Sequence, residues 1–232
     1  MRVVRNGIPQ LCRRLTTSAG CAKACTPAAP ARELPIVDLS TADADAAAAL
    51  HRACVTDGAF ALTNHGMPLA LTRELFTDAK AFFARPTHEK LAISFRKSEY
   101  RGYQPLGENV TQNAPDQHEA LDFYSESELA RGYTHYGQNQ WPERPASFKH
   151  NVERYWGYMH ALGQRLVGLV ERGLGLRASE LGQYFSDPYF CTRVIHYPGH
   201  SRGKHGSELG CGEHEDYGFL TLLQADDLLQ GR

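Results

Sequence analysis

The triplet His214-Glu215-Asp216, in the C-terminal part of the 232-residue chain, carries residue types typical of a metal site. Side chains alternate along an extended strand, so His214 and Asp216 would point to one face while Glu215 points away. With a distant second imidazole they would form the two-His-one-carboxylate triad, which leaves three positions open on Fe(II) for a co-substrate and dioxygen. The triplet alone is a weak signal, because chance yields about 0.5 such His-x-Asp triplets at this composition.

Other metal-ligating side chains in the sequence have simpler interpretations. His65, His118, His200 and His205 lie in loop-like sequence and are expected to be ordinary solvated residues. Cys211 lies close to the triplet, but a thiolate suits a softer metal than an oxygen-activating one. These residues are therefore not assigned to the site.

The N-terminal half of the chain has the pattern of alternating short strands and helices. Apolar runs predict strands at Leu34–Leu39 and Ala59–Thr63, and helical patterns occur at 46–57, Pro68–Phe83 and 86–91. Ser40 or Asp43 is expected to cap the first helix, and Gly58 is expected to end it.

The C-terminal half begins with a long helix and then changes to β-structure. Apolar residues three or four positions apart between Val152 and Val170 predict the helix, which Gly173 and Gly175 would close. The preceding stretch, 94–145, is expected to be mostly loop with a strand at Ala120–Tyr124. Further strands are predicted at Tyr189–Tyr197 and Gly218–Gln224.

The overall composition excludes several classes of protein. The chain holds 25 basic and 26 acidic residues, so its net charge of −1 indicates neither a nucleic-acid surface nor a polybasic membrane protein. No apolar run approaches the roughly 20 residues of a membrane-spanning helix. We therefore expect neither nucleic acid nor membrane as a partner.

Residues 1–32 differ from the rest because they hold six basic residues and no acidic one. Such an arginine-containing, Ser/Thr/Ala-rich start is typical of a mitochondrial or plastid transit peptide. The alternatives are a disordered basic tail, or upstream sequence included through a wrong start codon, and the protein would then be cytoplasmic. The six cysteines of the chain include no C-x-x-C pair, so neither a disulfide framework nor a zinc site is predicted.

From about Leu34 onward the chain resembles the isopenicillin N synthase-like family of Fe(II)- and 2-oxoglutarate-dependent dioxygenases. The landmarks that carry the resemblance are LPIVDLS, GAFALTNHGMP, FFARPTHEK, YRGYQP, YFCTRVIHYPG and GEHEDYGFLTLLQ, in the order that the family has. The implied fold is α+β: a helical N-terminal domain followed by the first strands of a double-stranded β-helix, or jelly-roll, core whose barrel is incomplete. The implied divisions are a leader (1–32), the dioxygenase N-terminal domain (33–150), a connecting helix (151–184) and the truncated start of the Fe(II)/2-oxoglutarate domain (185–232).

The resemblance implies roles for individual residues. His214 and Asp216 match two of the three iron ligands, and Tyr197 matches a tyrosine that binds the co-substrate 2-oxoglutarate. Strand alternation puts Tyr197 on the face opposite His196, so His196 is not expected to be a ligand.

Three residues match a segment near the substrate mouth, namely Tyr100, Arg101 and Tyr103. The alternative for these three is a loop arginine and two packing tyrosines.

The family also needs residues that this sequence does not supply. A complete member has a distal histidine ligand, an Arg-x-Ser that grips 2-oxoglutarate and further barrel strands, whereas only ADDLLQGR follows Gln224. With two strands the jelly roll cannot close, and the apolar faces around Val194 and Leu222 are expected to be exposed or covered by another chain. The expectation is an oxidoreductase that hydroxylates, desaturates or cyclises a small molecule, with this 232-residue polypeptide inactive by itself.

Two other functions are alternatives to this one. A non-catalytic truncated isoform or pseudoenzyme would act as a binding or dimerising fragment through its helical half. A zinc hydrolase using His214 and Asp216 is disfavoured, because six ordered landmarks would then be accidental.

The transit-peptide interpretation can be tested by fusing residues 1–32 to a fluorescent reporter. Because a basic leader without acidic residues is drawn to organelle import machinery, we expect the reporter to localise to mitochondria or plastids. A diffuse cytosolic signal would contradict the interpretation.

Overall fold

A computed structural model of the chain describes residues 2–5, 33–126, 131–132, 136–198 and 210–226. The helices are α1 (Asp43–Thr56), α2 (Leu69–Phe83), α3 (Thr87–Lys90) and α4 (Phe148–Gly173), with 3₁₀ turns at Leu91–Ile93 and Gly182–Phe185. The strands are β1 (Arg2–Arg5), β2 (Ile36–Asp38), β3 (Ala59–Thr63), β4 (Gly102–Gln104), β5 (Val110–Thr111), β6 (Ala114–Pro115), β7 (Glu119–Tyr124), β8 (Cys191–His196) and β9 (Thr221–Leu223). His200 and His205, and the leader beyond residue 5, lie outside the described residues.

Every predicted helix is present, but the predicted cap of α1 is wrong. The N-cap residue is Ala42, and no side chain caps the helix. Ser40 lies two residues before the N-cap, and its hydroxyl donates to the Asp38 carboxylate at 2.8 Å. Asp43 is instead the first residue of α1, where its negative charge interacts favourably with the positive end of the helix dipole. Gly58, with a φ of +67°, ends the helix as predicted.

The chain divides into two compact units, of which the first contains residues up to Gly66, 165–182 and 216 onward. Its sheet has the strand order β2-β3-β1-β9, and the pairs within it are parallel. Val37, Leu50 and Phe60 are each at most 1% exposed, so the core of this unit lies where α1 packs on β2 and β3.

The second unit contains Met67–Gln164 and Gln183–Glu215. Its antiparallel sheet has the order β4-β7-β8, with Leu121 opposite Val194. Buried side chains of α2, β4, β7 and α4 form an aromatic-rich cluster against this sheet, namely Ala79, Phe82, Phe83, Tyr103, Leu121, Phe123, Phe148 and Val152. Within the described residues none of the three sheets closes into a barrel.

Two expectations for the second unit are corrected. The stretch 94–145 was expected to be mostly loop, but it also forms β4 and the β5–β6 hairpin. These strands have two or three residues, which is too short for a periodic pattern to show. Val194 is not left exposed, because it packs against the aromatic cluster. The exposed side chains are those of the opposite face, with Ile195 at 39%.

No helix among the described residues is long and apolar enough to cross a membrane.

Replacing Leu121 by Ala tests the position of the second core. Leu121 is 0% exposed in the central strand, so its truncation leaves a cavity and should cost about 2–5 kcal/mol of unfolding free energy. The matched control is Leu106→Ala, since Leu106 is 46% exposed and should cost about 0.5 kcal/mol or less. Urea unfolding measures both, and equal losses would contradict this core.

Candidate functional site

His214 lies in an irregular segment that precedes β9, and its side chain is exposed. Its Nδ1 is 2.9 Å from the carbonyl oxygen of Gly212. A carbonyl only accepts, so Nδ1 carries the proton and the lone pair of the neutral imidazole lies on Nε2. Metal-binding histidines commonly donate their other ring N–H in this way. The Cys211 Sγ also lies 3.5 Å from Nδ1, which places this thiol beside the histidine rather than in a separate site.

Glu215 and Asp216 are exposed as well, but they do not lie in a strand. The strand that was predicted from Gly218 begins only at Thr221, because Gly218 turns the chain with a φ of +88°. The argument that alternation in a strand aligns His214 with Asp216 therefore does not apply. Among the described residues no three His, Cys, Asp or Glu side chains form a group that could hold a metal ion. The assignment of His214 and Asp216 as metal ligands stays a prediction.

Tyr197 follows β8 directly and is 53% exposed. Desolvation of its hydroxyl raises the pKa of Tyr197, and the charges of Cys211 and Asp116 raise it further. The phenol therefore stays protonated at neutral pH and can donate a hydrogen bond to a carboxylate. A donated hydrogen bond of this kind is what a contact with a carboxylate of 2-oxoglutarate requires.

The three predicted substrate-mouth residues have different environments. Tyr100 is 42% exposed, has a φ of +57° and packs edge-on against Phe95. Arg101 is fully buried and donates to the carbonyl of Ser125 at 3.2 Å. Tyr103 is 2% exposed within the aromatic cluster. The burial of Tyr103 fits its alternative as a packing tyrosine, Arg101 is buried, and Tyr100 offers a ring to solvent. The assignment of the three to the substrate mouth stays a prediction.

A buried carboxylate, Glu119, joins three elements of the second unit. Its Oε2 accepts from Lys90 Nζ at 2.6 Å and from the Tyr103 hydroxyl, and its Oε1 accepts from His196 Nδ1 at 2.8 Å. Burial alone would raise the pKa of Glu119, but these hydrogen bonds outweigh it and hold the pKa below its usual value. His196 also stacks on Phe83, so it faces the core, as the strand alternation predicted.

The opposite face of the same sheet carries an ion pair that was not predicted. Arg193 donates from Nε and Nη2 to the two carboxylate oxygens of Asp122, at 2.8 and 2.7 Å. Asp122 is 1% exposed in its side chain, and Gln104 also donates to it, at 2.5 Å. Arg193 lies on the same face as Tyr197, so a charged group adjoins the candidate co-substrate residue. The sequence shows opposite charges in the two strands β7 and β8. Only the register of the strands, which sets Asp122 opposite Arg193, shows that the two residues pair.

The expectation for His118 is wrong. The sequence predicts a solvated loop histidine at this position, yet His118 is only 2% exposed. Its Nδ1 lies 2.9 Å from the carbonyl oxygen of Gly210, and its ring packs on Tyr197 with 5.5 Å between the centroids. The contact joins residues 92 positions apart, which loop composition could not reveal.

Comparison with known proteins identifies the family to which the chain is similar. Residues 34–144 match the family model described as non-haem dioxygenase in morphine synthesis, N-terminal. A homoarginine-6-hydroxylase of Glycine max is 38% identical over 188 residues, which are 77% of this chain and 57% of that protein. The chain thus spans little more than half the length of this curated relative.

Two solved structures are similar to the chain. The full-length Neurospora crassa protein in complex with alpha-KG and thymine has a TM-score of 0.60 and 25% identity, over 71% of this chain and 55% of that one. JOX2 in complex with 2OG, Fe and JA has a TM-score of 0.62 and 24% identity, over 82% and 56%. The chain belongs to the family of 2-oxoglutarate- and Fe(II)-dependent dioxygenases. Members of this family are oxidoreductases that share a jelly-roll fold and depend on iron and 2-oxoglutarate.

Replacing Glu119 by Gln tests the buried carboxylate. Removing the charge leaves Lys90 buried without its counter-charge, so the variant should lose about 3 kcal/mol of unfolding free energy at pH 7. Because the folded-state pKa of Glu119 is lowered, its contribution is present above its unfolded pKa and is lost as the pH falls through the folded value. The difference between wild type and variant should therefore shrink as the pH is lowered below the ordinary pKa of a glutamate.

Urea unfolding at a series of pH values measures this difference. The control is Glu74→Gln, because Glu74 pairs with Arg154 at the surface, with both side chains more than 40% exposed. That variant should change stability by about 0.5 kcal/mol or less. A Glu119 difference that stays constant with pH would contradict the assignment.

Proposed function

We propose that the protein is an Fe(II)- and 2-oxoglutarate-dependent oxygenase that acts on a small molecule. The observation that carries the proposal is the state of His214, whose Nδ1–H is donated to Gly212 and whose lone pair therefore lies on Nε2. The proposed metal ligands are His214 and the Asp216 carboxylate. An imidazole with a carboxylate is the donor set that suits non-haem iron, so these residues fit the metal.

The bound iron would supply the activation of dioxygen, coupled to decarboxylation of 2-oxoglutarate. The residues of this chain do the binding and orienting. Tyr197, whose phenol is protonated at neutral pH, would donate to a carboxylate of 2-oxoglutarate. The substrate would be hydroxylated, desaturated or cyclised near Tyr100, which exposes its ring.

The complete activity needs a third metal ligand, so the activity of the 232-residue chain is considered separately. Among the described residues, no group of three candidate ligands forms. We propose that the 232 residues alone form an incomplete jelly roll and do not turn over 2-oxoglutarate, and that a third ligand and an arginine for the co-substrate come from further sequence. In the absence of such sequence, the chain would act as a non-catalytic binding or dimerising fragment.

The substrate class to be tested first is a basic amino acid. Relatives that include the Glycine max protein are named homoarginine-6-hydroxylases and are 34–38% identical to the chain. Homoarginine carries a carboxylate as well as a guanidinium group. Arg193, whose side chain is 40% exposed beside Asp122, offers a cation for such a carboxylate.

A chimera tests the proposed function. Residues 33–226 are joined to the part of the Glycine max homoarginine-6-hydroxylase that follows its matched segment, so that the missing ligands are supplied. With Fe(II) and homoarginine, the chimera should form succinate from 2-oxoglutarate, and His214→Ala should reduce the rate at least about 100-fold, because a direct ligand is lost. The 232-residue chain alone should form none.

The matched control for this experiment is His88→Ala in the chimera. His88 is exposed in α3, and its loss should leave the rate unchanged. Succinate formation that survives His214→Ala would refute the ligand assignment. Turnover by the 232-residue chain at the rate of the Glycine max enzyme would refute its inactivity.

A further inference from the structure

His118 contacts Tyr197 and the segment that leads to His214. Its Nδ1 lies 2.9 Å from the carbonyl oxygen of Gly210, four residues before His214, and its ring packs edge-on against Tyr197. The side-chain amide of Asn109 lies 3.4 Å from Nε2. Because the carbonyl accepts from Nδ1 and the amide donates to Nε2, His118 is held as the neutral Nδ1–H tautomer. This buried imidazole therefore has one definite orientation.

Asp116 makes a second connection to the same segment. It is 4% exposed, and its carboxylate accepts the Gly212 N–H at 3.1 Å and the Thr111 hydroxyl at 2.8 Å. The carbonyl of Gly212 is the group that accepts from His214 Nδ1. Gly212 therefore links the two side chains: its N–H donates to the Asp116 carboxylate, and its carbonyl accepts from the imidazole of His214.

The hairpin of β5 and β6 lies beside this segment and takes part in these contacts. Its turn residues Gln112 and Asn113 have φ values of +51° and +63°, the left-handed pair that a type I′ turn requires. Gln112 also donates to the carbonyl of Glu213 at 3.1 Å. The hairpin and the residues that follow it therefore hydrogen-bond Gly210, Gly212 and Glu213, just before His214.

The two glycines of the segment are explained by the same contacts. A Cβ atom on Gly210 would lie 2.8 Å from carbons of the Tyr197 ring, and one on Gly212 would lie 2.9 Å from Thr111. Contacts this short require the absence of a side chain. The backbone therefore lies directly on Tyr197 and on the hairpin.

We propose that His118 is a positioning residue that fixes His214 and Tyr197 relative to one another, with Asp116 as a second anchor. The inference rests on the proposed function, in which His214 binds the metal and Tyr197 the co-substrate. His118 acts through the backbone of Gly210 and through ring packing, and it does not touch the metal. Groups that hydrogen-bond a ligand histidine directly typically change metal affinity 10- to 100-fold, and His118, which acts one step further away, is expected at the lower end of this range.

The test compares His118→Asn with His118→Gln in the full 232-residue chain. The side-chain nitrogen of Asn is as far from the backbone as Nδ1 and can still donate to Gly210, whereas that of Gln is one bond further out. Titration with Co(II) as the probe, followed by NMR broadening of the His214 signals, should show a dissociation constant raised roughly 10-fold in His118→Gln and changed less than about 2-fold in His118→Asn.

Two readouts without metal accompany the titration. Hydrogen exchange of the Gly212 amide should be faster in His118→Gln than in the wild type, because the segment is no longer held. The ¹⁵N signals of His214 should change from the Nδ1–H tautomer to a mixture. The control is His160→Leu, since His160 is exposed on α4 and should alter none of these readouts. If His118→Gln does not fold, Gly210→Ala moves the segment off Tyr197 and should give the same changes.

The outcomes separate this inference from the function on which it rests. Equal Co(II) affinity, amide exchange and tautomer in the Asn and Gln variants would overturn the role of His118. Unchanged Co(II) binding in His214→Ala would refute the metal assignment, and the exchange and tautomer measurements would still decide whether His118 holds the segment.

Discussion

The buried carboxylate of Glu119 is the interaction on which the second unit depends. It ties Lys90, after α2, to β4 through Tyr103 and to β8 through His196. A charge buried to this degree is tolerated only when donors surround it, so the helix end and both outer strands must keep their places. The same constraint turns His196 towards the core and leaves its neighbour Tyr197 on the open face.

The open face of the sheet then becomes the chemically useful one. Arg193 and Asp122 form a bidentate pair there, and Tyr197 follows on the same side. His118 packs on one side of Tyr197 and also hydrogen-bonds the carbonyl of Gly210. The segment that leads to His214 therefore passes beside Tyr197. One face of β7 and β8 is thus used for stability, and the other carries Arg193 and Tyr197.

Local pattern predicted most of the regular structure. The helices and the strands β2, β3, β7, β8 and β9 follow from apolar periodicity, glycine stops and β-branched runs, which are local properties. The alternation along β8 also predicted correctly that His196 and Tyr197 face opposite ways. The cap of α1 was predicted wrongly because the helix begins at Asp43 after the N-cap Ala42, which leaves Ser40 two residues too early. The short strands β4, β5 and β6 were missed because two or three residues carry no period.

The sequence by itself determined the family and the identity of the candidate chemical groups, since these depend on residue types and their order along the chain. The tertiary structure decided which of them meet. His118 had the composition of a solvated loop residue, and only the fold buries it against Gly210, 92 positions away. Arg101 and Tyr103 had the types of a binding site, and the fold placed them in the core. Such contacts are long-range, and a local pattern holds no information about which distant residue will satisfy a buried donor or charge.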